Sequence, residues 1–523
     1  MMQSVMWSPG WREQVFSSLD QAFDLIVIGG GITGAGILLE AARGGKKVLL
    51  LEGKDFAYGT SSRSTKLVHG GLRYLRQGQF LVTRKSVKER ERLMREAPGL
   101  VLNLGFSLST FPGDQVPRWM YGMGLLMYDA LAWKWAHERQ SADELVQRFS
   151  PLAGSGVLGG YRYFDAQTDD ARLVLRVLRE GVRHGGLAVN YARVQNLLRD
   201  EAGNVHGVVV QDVAPGGHRT FEVKAKVVIN ATGAWADEVR GHIGGEVRMR
   251  KIRGSHLTFS AERLPIPEAV SLLHPKDGRA VFAVPWEGVT IFGTTDKDHD
   301  PHMDDEPFIA EEEVDYLMEC AQRSFPGQEL TRKDIISTWA GVRPVINTGA
   351  KDPSKESREH AVWRENGLLT IAGGKLTTFA IMARDALLAV EDVLGPVAER
   401  SVIFDEPPAI DANVSDEQRV RLLGRYGADA AAVVARADLR DHIDGSVVTW
   451  GEVLHAATQE GVVKLEDLLL RRARLGLLVP QGGLAQMAQI RTLVQPALGW
   501  DDARWAAEEA EYRALWNKAY AGR

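Results

Sequence analysis

The period of hydrophobic and polar positions changes several times along the chain, and the first change says most. Residues 25–28 (LIVI) form an unbroken apolar run, as expected of a strand buried on both faces. The run meets Gly29, Gly30, Gly31 and Gly34, turns helical over residues 37–43, and returns as a second apolar run at 48–51 ending on Glu52. Strand, glycine turn, helix, strand and terminal acid make one βαβ unit in about 30 residues. Farther on, residues 81–97 predict a charged helix with a solvated face, closed by Pro98-Gly99, and a helix starting at Ala171 is capped by Thr168 or Asp169. Residues 205–213 and 220–230, joined through Pro215-Gly216-Gly217, predict a β-meander whose last strand runs into Asn230-Ala231-Thr232-Gly233. Short apolar runs at 256–259, 280–286 and 289–295 predict a β-rich block, and a helix over 311–323 separates it from a strand at 337–345. The charged residues 351–365 predict a surface loop. A strand at 368–371 then enters Gly373-Gly374 and a helix reaching residue 394, with Thr377 or Thr378 as its cap. Pro407-Pro408 marks a boundary, after which the pattern is helical, with apolar positions at Leu468, Leu469, Leu475 and Leu478.

The first unit carries chemistry. Gly29 permits a tight turn, Gly31 lets backbone approach a pyrophosphate, and Gly34 lets the helix lie close on the strand. The helix start offers free N–H groups to phosphates, and Glu52 is placed to accept from a ribose hydroxyl. The candidate contacts in this turn are Gly29, Gly30, Gly31, Ile32, Thr33 and Gly34. Alone, the unit suits NAD as well as FAD. The hydroxyl-rich residues 53–75 and the late strand–turn–helix at Gly373-Gly374 favour a flavoprotein of the two-domain oxidase type, whose FAD domain is discontinuous. Residues 116–139 are rich in Trp, Met and Tyr with cationic ends. Core packing is the default reading for them, and a membrane-surface or quinone-facing element the alternative.

Bulk properties narrow the class. A chain of 523 residues holds two or three domains, and a net charge of −5 gives no sign of nucleic-acid binding. The single cysteine, Cys320, excludes a disulfide framework and a Cys-rich metal site; no metal is expected, and a cytoplasmic setting fits. Residues 1–23 lack the apolar core of a signal peptide, and no run reaches the ~18 apolar residues of a spanning helix.

Several motifs together resemble the FAD-dependent, membrane-associated glycerol-3-phosphate dehydrogenases, within the D-amino-acid-oxidase-like fold. They are DLIVIGGGITGAG (24–36), TSSRSTKLVHGGLRYL (60–75), TDDARL (168–173), NATGAWAD (230–237), RGSHLTF (253–259), FGTTD (292–296), GVRPV (341–345), GGKLTT (373–378) and, more loosely, LLRRARLGLL (469–478). The resemblance implies oxidation of sn-glycerol 3-phosphate to dihydroxyacetone phosphate in glycerol catabolism, with electrons passing from FAD to a membrane quinone. It places the substrate at Arg73, Tyr74, His256, Arg343, Lys375 and Thr378. His256 is the candidate base, and Arg343 and Lys375 hold either the developing oxyanion or the phosphate. Arginine and lysine are the expected receptors for a phosphate dianion. Further FAD contacts implied are Thr60, Ser61, Lys66, Leu67, His69, Gly71, Gly341, Gly374, Leu376 and Thr377, with Val194, Thr232 and Gly233 flanking the adenine end. Asp169, Asp170 and Arg172 read as a structural cap and ion pair.

The expected fold is α/β, α+β overall. A Rossmann-like FAD-binding domain is discontinuous over residues 20–90, 150–250 and 335–400. An antiparallel-sheet substrate domain takes 91–149 and 251–334, and a helical C-terminal domain 410–523. The expected setting is the cytoplasmic face of the membrane, peripherally held, with a homodimer compatible. The rival readings are a glycerol-3-phosphate oxidase that passes electrons to O2 and releases peroxide, an amino-acid oxidase, and a non-catalytic FAD-binding protein.

Overall fold

The computed structural model describes residues 6–72, 80–114, 116–132, 135–350, 356, 359–398, 401–410 and 413–522. Two sheets organise the chain. The first has the spatial order His360–Glu365, Leu368–Gly373, Thr220–Asn230, Phe23–Ile28, Val48–Leu51, Leu187–Val189. Its central pairings are parallel: Phe23–Ile28 lies between Val48–Leu51 and Thr220–Asn230. These strands are buried on both faces, which is why they read as continuous apolar runs. The meander is present: Ala192–Arg199 pairs with Val205–Asp212, which pairs with Thr220–Asn230.

The nucleotide-turn helix runs Ile32–Arg43, starting five positions earlier than its apolar pattern suggests. Its first turn is small and glycine-rich because it must lie against the turn itself. A Cβ at Gly34 would overlap the Gly29 carbonyl oxygen, and Gly29 itself has φ +109°. The same helix packs against Asp170–Arg183, where Gly181 meets Leu38, and against Phe379–Leu388, where Gly36 meets Phe379.

The second sheet is antiparallel except where Ala269–Leu273 runs parallel to Val101–Thr110. Its longest pairing joins Met249–Ser260 to Ile335–Ile346. That pairing moves Ile335–Ile346 out of the expected FAD segment and into the second sheet. Gly159–Thr168 moves likewise, hydrogen-bonded along its length to Val101–Thr110. Strand pairing is non-local, so the linear order of motifs does not mark where one sheet ends.

Other boundaries differ for local reasons. His360–Glu365 is a strand, not loop: it forms a hairpin with Leu368–Gly373 across Asn366-Gly367, both at positive φ. The late helix starts at Phe379 and breaks after Leu388, and neither Thr377 nor Thr378 supplies a side-chain cap. Asp169 caps Asp170–Arg183 by accepting from the Arg172 N–H at 3.2 Å.

The C-terminal helices include Asp416–Tyr426, Trp450–Gln459, Met487–Leu498 and Asp502–Ala519. They are helical as expected, and they pack directly on the second sheet. Leu468, Leu475 and Trp505 share one buried core with Trp286, Ile291 and Trp339 of the second sheet. The Thr338 N–H donates to the Tyr520 carbonyl at 2.8 Å, and the Ser337 hydroxyl to the Leu477 carbonyl at 2.7 Å.

Candidate active site

A large cavity of about 1510 Å³ lies between the two sheets. Its floor at one end is the glycine turn, with Gly29, Gly31, Ile32 and Thr33 on the wall and the helix N-terminus facing in. Gly30 and Gly34 stand behind it: the Gly30 N–H donates to a Glu52 carboxylate oxygen at 2.6 Å, and Gly34 gives the close packing described above. The other Glu52 oxygen accepts from the Lys54 N–H at 2.7 Å. Burial raises the Glu52 pKa, against those two N–H donors. The carboxylate is thus fixed in orientation, with lone pairs left for a ribose hydroxyl. Val194, Thr232 and Gly233 line the same end.

The segment after Glu52 forms one flank. Thr60, Ser61, Leu67, His69 and Gly71 are all on the wall. Ser61 Oγ accepts from the Ile32 N–H at 3.0 Å, so this segment also closes the helix start. Lys66 is different. Its side chain is fully buried away from the cavity, with its ammonium on Asp170 at 2.8 Å and on the Ser62 carbonyl at 2.7 Å. Only the backbone of Lys66 is left to meet a cofactor.

The other flank comes from the second sheet and the late turn. Gly341, Arg343, Gly374, Lys375, Leu376 and Thr377 line it. Arg343 is aimed by three acceptors: Asp296 at 3.2 Å, the Thr295 carbonyl at 3.4 Å and the Thr294 hydroxyl at 3.0 Å. Asp296 also pairs with Arg279 at 3.0 Å, and Arg279 is on the cavity wall too. One buried carboxylate therefore orients two cavity guanidiniums. Lys375 donates to the Ser86 hydroxyl at 3.1 Å. Thr378 is off the wall, its hydroxyl on the Lys375 carbonyl at 3.4 Å. Arg73 and Tyr74 lie outside the described residues.

His256 is buried and set back from the cavity, its ring stacked on Trp339 at 4.9 Å between centroids. Its Nε2 is 2.9 Å from the hydroxyl of Thr65, which does line the cavity. Burial, then Arg343 and Lys66, push its pKa well below the ordinary value, so the ring is neutral. Nδ1 is buried without a partner among the described residues. An orphaned N–H costs more than an orphaned lone pair, which favours the tautomer with the proton on Nε2, donated to Thr65. The Thr65 hydroxyl then has its own proton left to offer to the cavity. His256 thus meets the cavity wall through Thr65.

Sequence reasoning missed Thr65, Arg279 and the role of Asp296. Thr65 and Asp296 sit inside recognised motifs, so a signal existed. Arg279 had none: its place follows from the 280–286 strand lying beside the 289–293 strand.

A cavity this large exceeds the ~300–1,000 Å³ of small-molecule sites. With an anion-ready helix start, a fixed ribose acceptor and a glycine-lined turn, it fits a dinucleotide with a small anionic substrate beside it. The residues present fit FAD.

Comparison with known proteins agrees. Residues 24–384 match the family model of FAD dependent oxidoreductases, and residues 375–505 that of the C-terminal domain of alpha-glycerophosphate oxidase. An aerobic glycerol-3-phosphate dehydrogenase of Staphylococcus aureus is 35% identical over 500 residues, 88% of each chain. The structure of a glycerol-3-phosphate dehydrogenase from Bacillus halodurans, complexed with FAD, superposes with a TM-score of 0.78 at 27% identity over 98% of both chains. An L-alpha-glycerophosphate oxidase from Mycoplasma pneumoniae, with FAD bound, shares the fold at TM-score 0.59 and 16% identity, covering 75% of this chain and 100% of its own. The chain is an FAD-dependent oxidoreductase and belongs to the glycerol-3-phosphate dehydrogenase family.

Proposed function

We propose that the protein oxidises sn-glycerol 3-phosphate to dihydroxyacetone phosphate and passes the electrons to a membrane quinone. The observation that carries the substrate is the placement of Arg343 and Lys375 on one cavity with the nucleotide turn. A phosphate dianion needs a guanidinium fork and a point charge, and Asp296 holds the fork in place. Arg279 adds a second guanidinium on the same carboxylate. An amino acid would need one such cation for its carboxylate. FAD, when bound, would supply the hydride acceptor for the carbon bearing the secondary hydroxyl. The hydroxyl proton leaves to a base of this chain; His69 and His242 both put an imidazole on the cavity wall, and His69, in the 60–75 motif, is the candidate. Thr65, oriented by His256, donates to an oxygen in the cavity, and Arg343 or Lys375 stabilises the oxyanion as the C–H bond breaks.

The quinone reading rests on the helix Arg118–Ala132. Its residues Met120, Met123 and Met127 line the cavity and are also exposed. With Trp119, 60% exposed, and Leu126 they make an apolar face at a cavity mouth. No described helix is long and apolar enough to cross a membrane, so this face would lie on a bilayer, not in it. The C-terminal match to a glycerophosphate oxidase keeps O2 as the second reading.

Anaerobic addition of glycerol 3-phosphate to the purified protein should bleach the flavin absorption, while glycerol and D-alanine should not. A quinone analogue should then restore the colour faster than air. Bleaching followed by rapid peroxide release without quinone reduction would select the oxidase, and no bleaching would reject the substrate.

A further inference from the structure

Residues 53–66 contain one short 3-10 turn, Thr60–Ser62, and otherwise no regular structure, yet they give Tyr58, Thr60, Ser61 and Thr65 to the cavity wall. Such a segment has no ladder of its own to hold a ligand-ready shape against its conformational entropy. Its supports lie behind it, in the C-terminal helices.

Asp55 is fully buried three residues after Glu52. Arg471 reaches it at 2.5 Å and Arg472 grips it with two nitrogens, one at 2.8 Å. Arg474 donates to the Ser62 carbonyl at 3.0 Å and to Asp170 at 2.8 Å. Asp170 in turn accepts the Ser64 N–H at 2.9 Å and the Ser64 hydroxyl at 2.7 Å. None of these three arginines lines the cavity. The backbone that presents them is unusual as well. Asp467–Arg472 is a π-helical turn, and Arg474 follows in the left-handed region at φ +62°. Such departures are unfavourable in isolation and recur where geometry serves a function.

We propose that Arg471, Arg472 and Arg474 are cofactor-positioning residues, through which the C-terminal helices hold residues 53–66 in the shape that retains FAD. Buried guanidinium–carboxylate pairs are a poor source of net stability, because desolvation offsets their attraction, but they fix geometry well. Here they fix the flank of the cavity next to the ribose acceptor. The coupling runs both ways: what the helices do for FAD, FAD does for their docking. The inference rests on FAD binding alone and does not depend on the substrate proposed above.

The test uses full-length holoenzyme and follows FAD release by flavin fluorescence, alongside unfolding by circular dichroism. The variants are Arg472→Met and Arg474→Lys, with Arg421→Gln as reference. Arg421 is also an ion-paired arginine of the C-terminal helices, on Glu287 at 3.1 Å and Glu452 at 2.8 Å, but among the described residues these partners lie outside 53–66. Release rates are compared at equal distance below each variant's own melting temperature. Arg472→Met and Arg474→Lys should release FAD about tenfold faster than the parent, the loss expected for one charge-assisted bond. Arg421→Gln should melt earlier and release FAD at the parent rate. Parent-like release in the first two variants, or equally fast release in all three, would overturn the proposal. If Arg472→Met fails to fold, Arg474→Lys decides, since it keeps the charge and loses only the forked geometry.

Discussion

At the scale of single residues, the cavity is a case of one buried acid doing two jobs. Asp296 binds Arg343 and Arg279 at once, so neither guanidinium must be ordered by substrate. Arg343→Ala should therefore act on substrate and not on cofactor. The Michaelis constant for glycerol 3-phosphate should rise roughly 10–100-fold, the worth of a charge-assisted bond of about 1.5–3 kcal/mol, with FAD fully retained. Steady-state kinetics with an absorbance count of bound flavin checks both halves, and loss of FAD would show that the site is mapped wrongly. His256 makes a different kind of prediction. If it works by donating from Nε2 to Thr65, His256→Gln, which keeps an N–H donor, should retain most activity. His256→Phe should lose roughly tenfold in kcat/KM, about the 1.4 kcal/mol of one oriented bond. Because the buried ring is neutral at ordinary pH, neither change should move the acid limb of the pH–rate profile. A limb that vanishes in His256→Gln would instead make this ring the base.

At the scale of elements, the helix Arg118–Ala132 has two duties. Its inner side closes the cavity and its outer side leaves Trp119 and Leu126 in solvent. Burying one large apolar side chain in a bilayer surface contributes up to ~1.5–3 kcal/mol. Trp119→Ser together with Leu126→Ser should thus weaken sedimentation with liposomes by at least about tenfold while the anaerobic flavin bleaching is unchanged. Unaltered liposome binding would place the membrane contact elsewhere. Elements differ in how legible they are. The nucleotide unit was readable because its strands are buried on both faces and Gly34 is dictated by its contact with Gly29, five residues away. The hairpin at Asn366-Gly367 had a turn signal too, but the charges before it masked the strand. The residues at 116–139 could not be read either way, because an apolar face is written identically whether it meets a core or a bilayer. His256 was readable as a site member but not in its role, since its distance from the cavity depends on how two strands register. Arg279 and the three arginines of 471–474 were unreadable for a plainer reason: the partners that matter, Asp296 for the first and Asp55 or Asp170 for the others, lie outside their own elements, and single charges carry no period.

At the scale of the whole molecule, the C-terminal helices are joined to the rest through buried acids whose protonation is tied to folding. Asp169 meets Arg425 at 3.0 Å and Glu460 is paired with Arg172 across that join, while Glu452 pairs with Arg421 at 2.8 Å within the helices themselves. Burial alone would raise all three acids, but Arg474 and Arg425 act on Asp169, Arg172 on Glu460, and Arg421 and Arg425 on Glu452. The arginines win, and each acid ends at about 2. An acid held below its unfolded value stabilises the fold above that value and loses the contribution as pH falls through the folded one. For these groups the window runs from the ordinary carboxylate range near pH ~4 down to about 2. Glu466 and Asp467, held above their ordinary values by burial, have the opposite sign and soften the slope. The net curve therefore mixes both kinds, and a difference measurement isolates one pair. Replacing Arg172 and Glu460 together by Met and Leu removes an internal ion pair without leaving either charge unpaired. Such exchanges are often neutral or stabilising by ~1–4 kcal/mol. Relative to the parent, the double variant should gain stability progressively as pH drops from 5 toward 3 in denaturant titrations followed by circular dichroism. Removing Glu460 alone strands the Arg172 guanidinium in the interior and should cost roughly 3–5 kcal/mol at neutral pH. Parallel pH curves for parent and double variant would mean that this acid is not held low, and that the helices stay docked through their shared core of Leu468, Trp286 and Trp339 and not through charge.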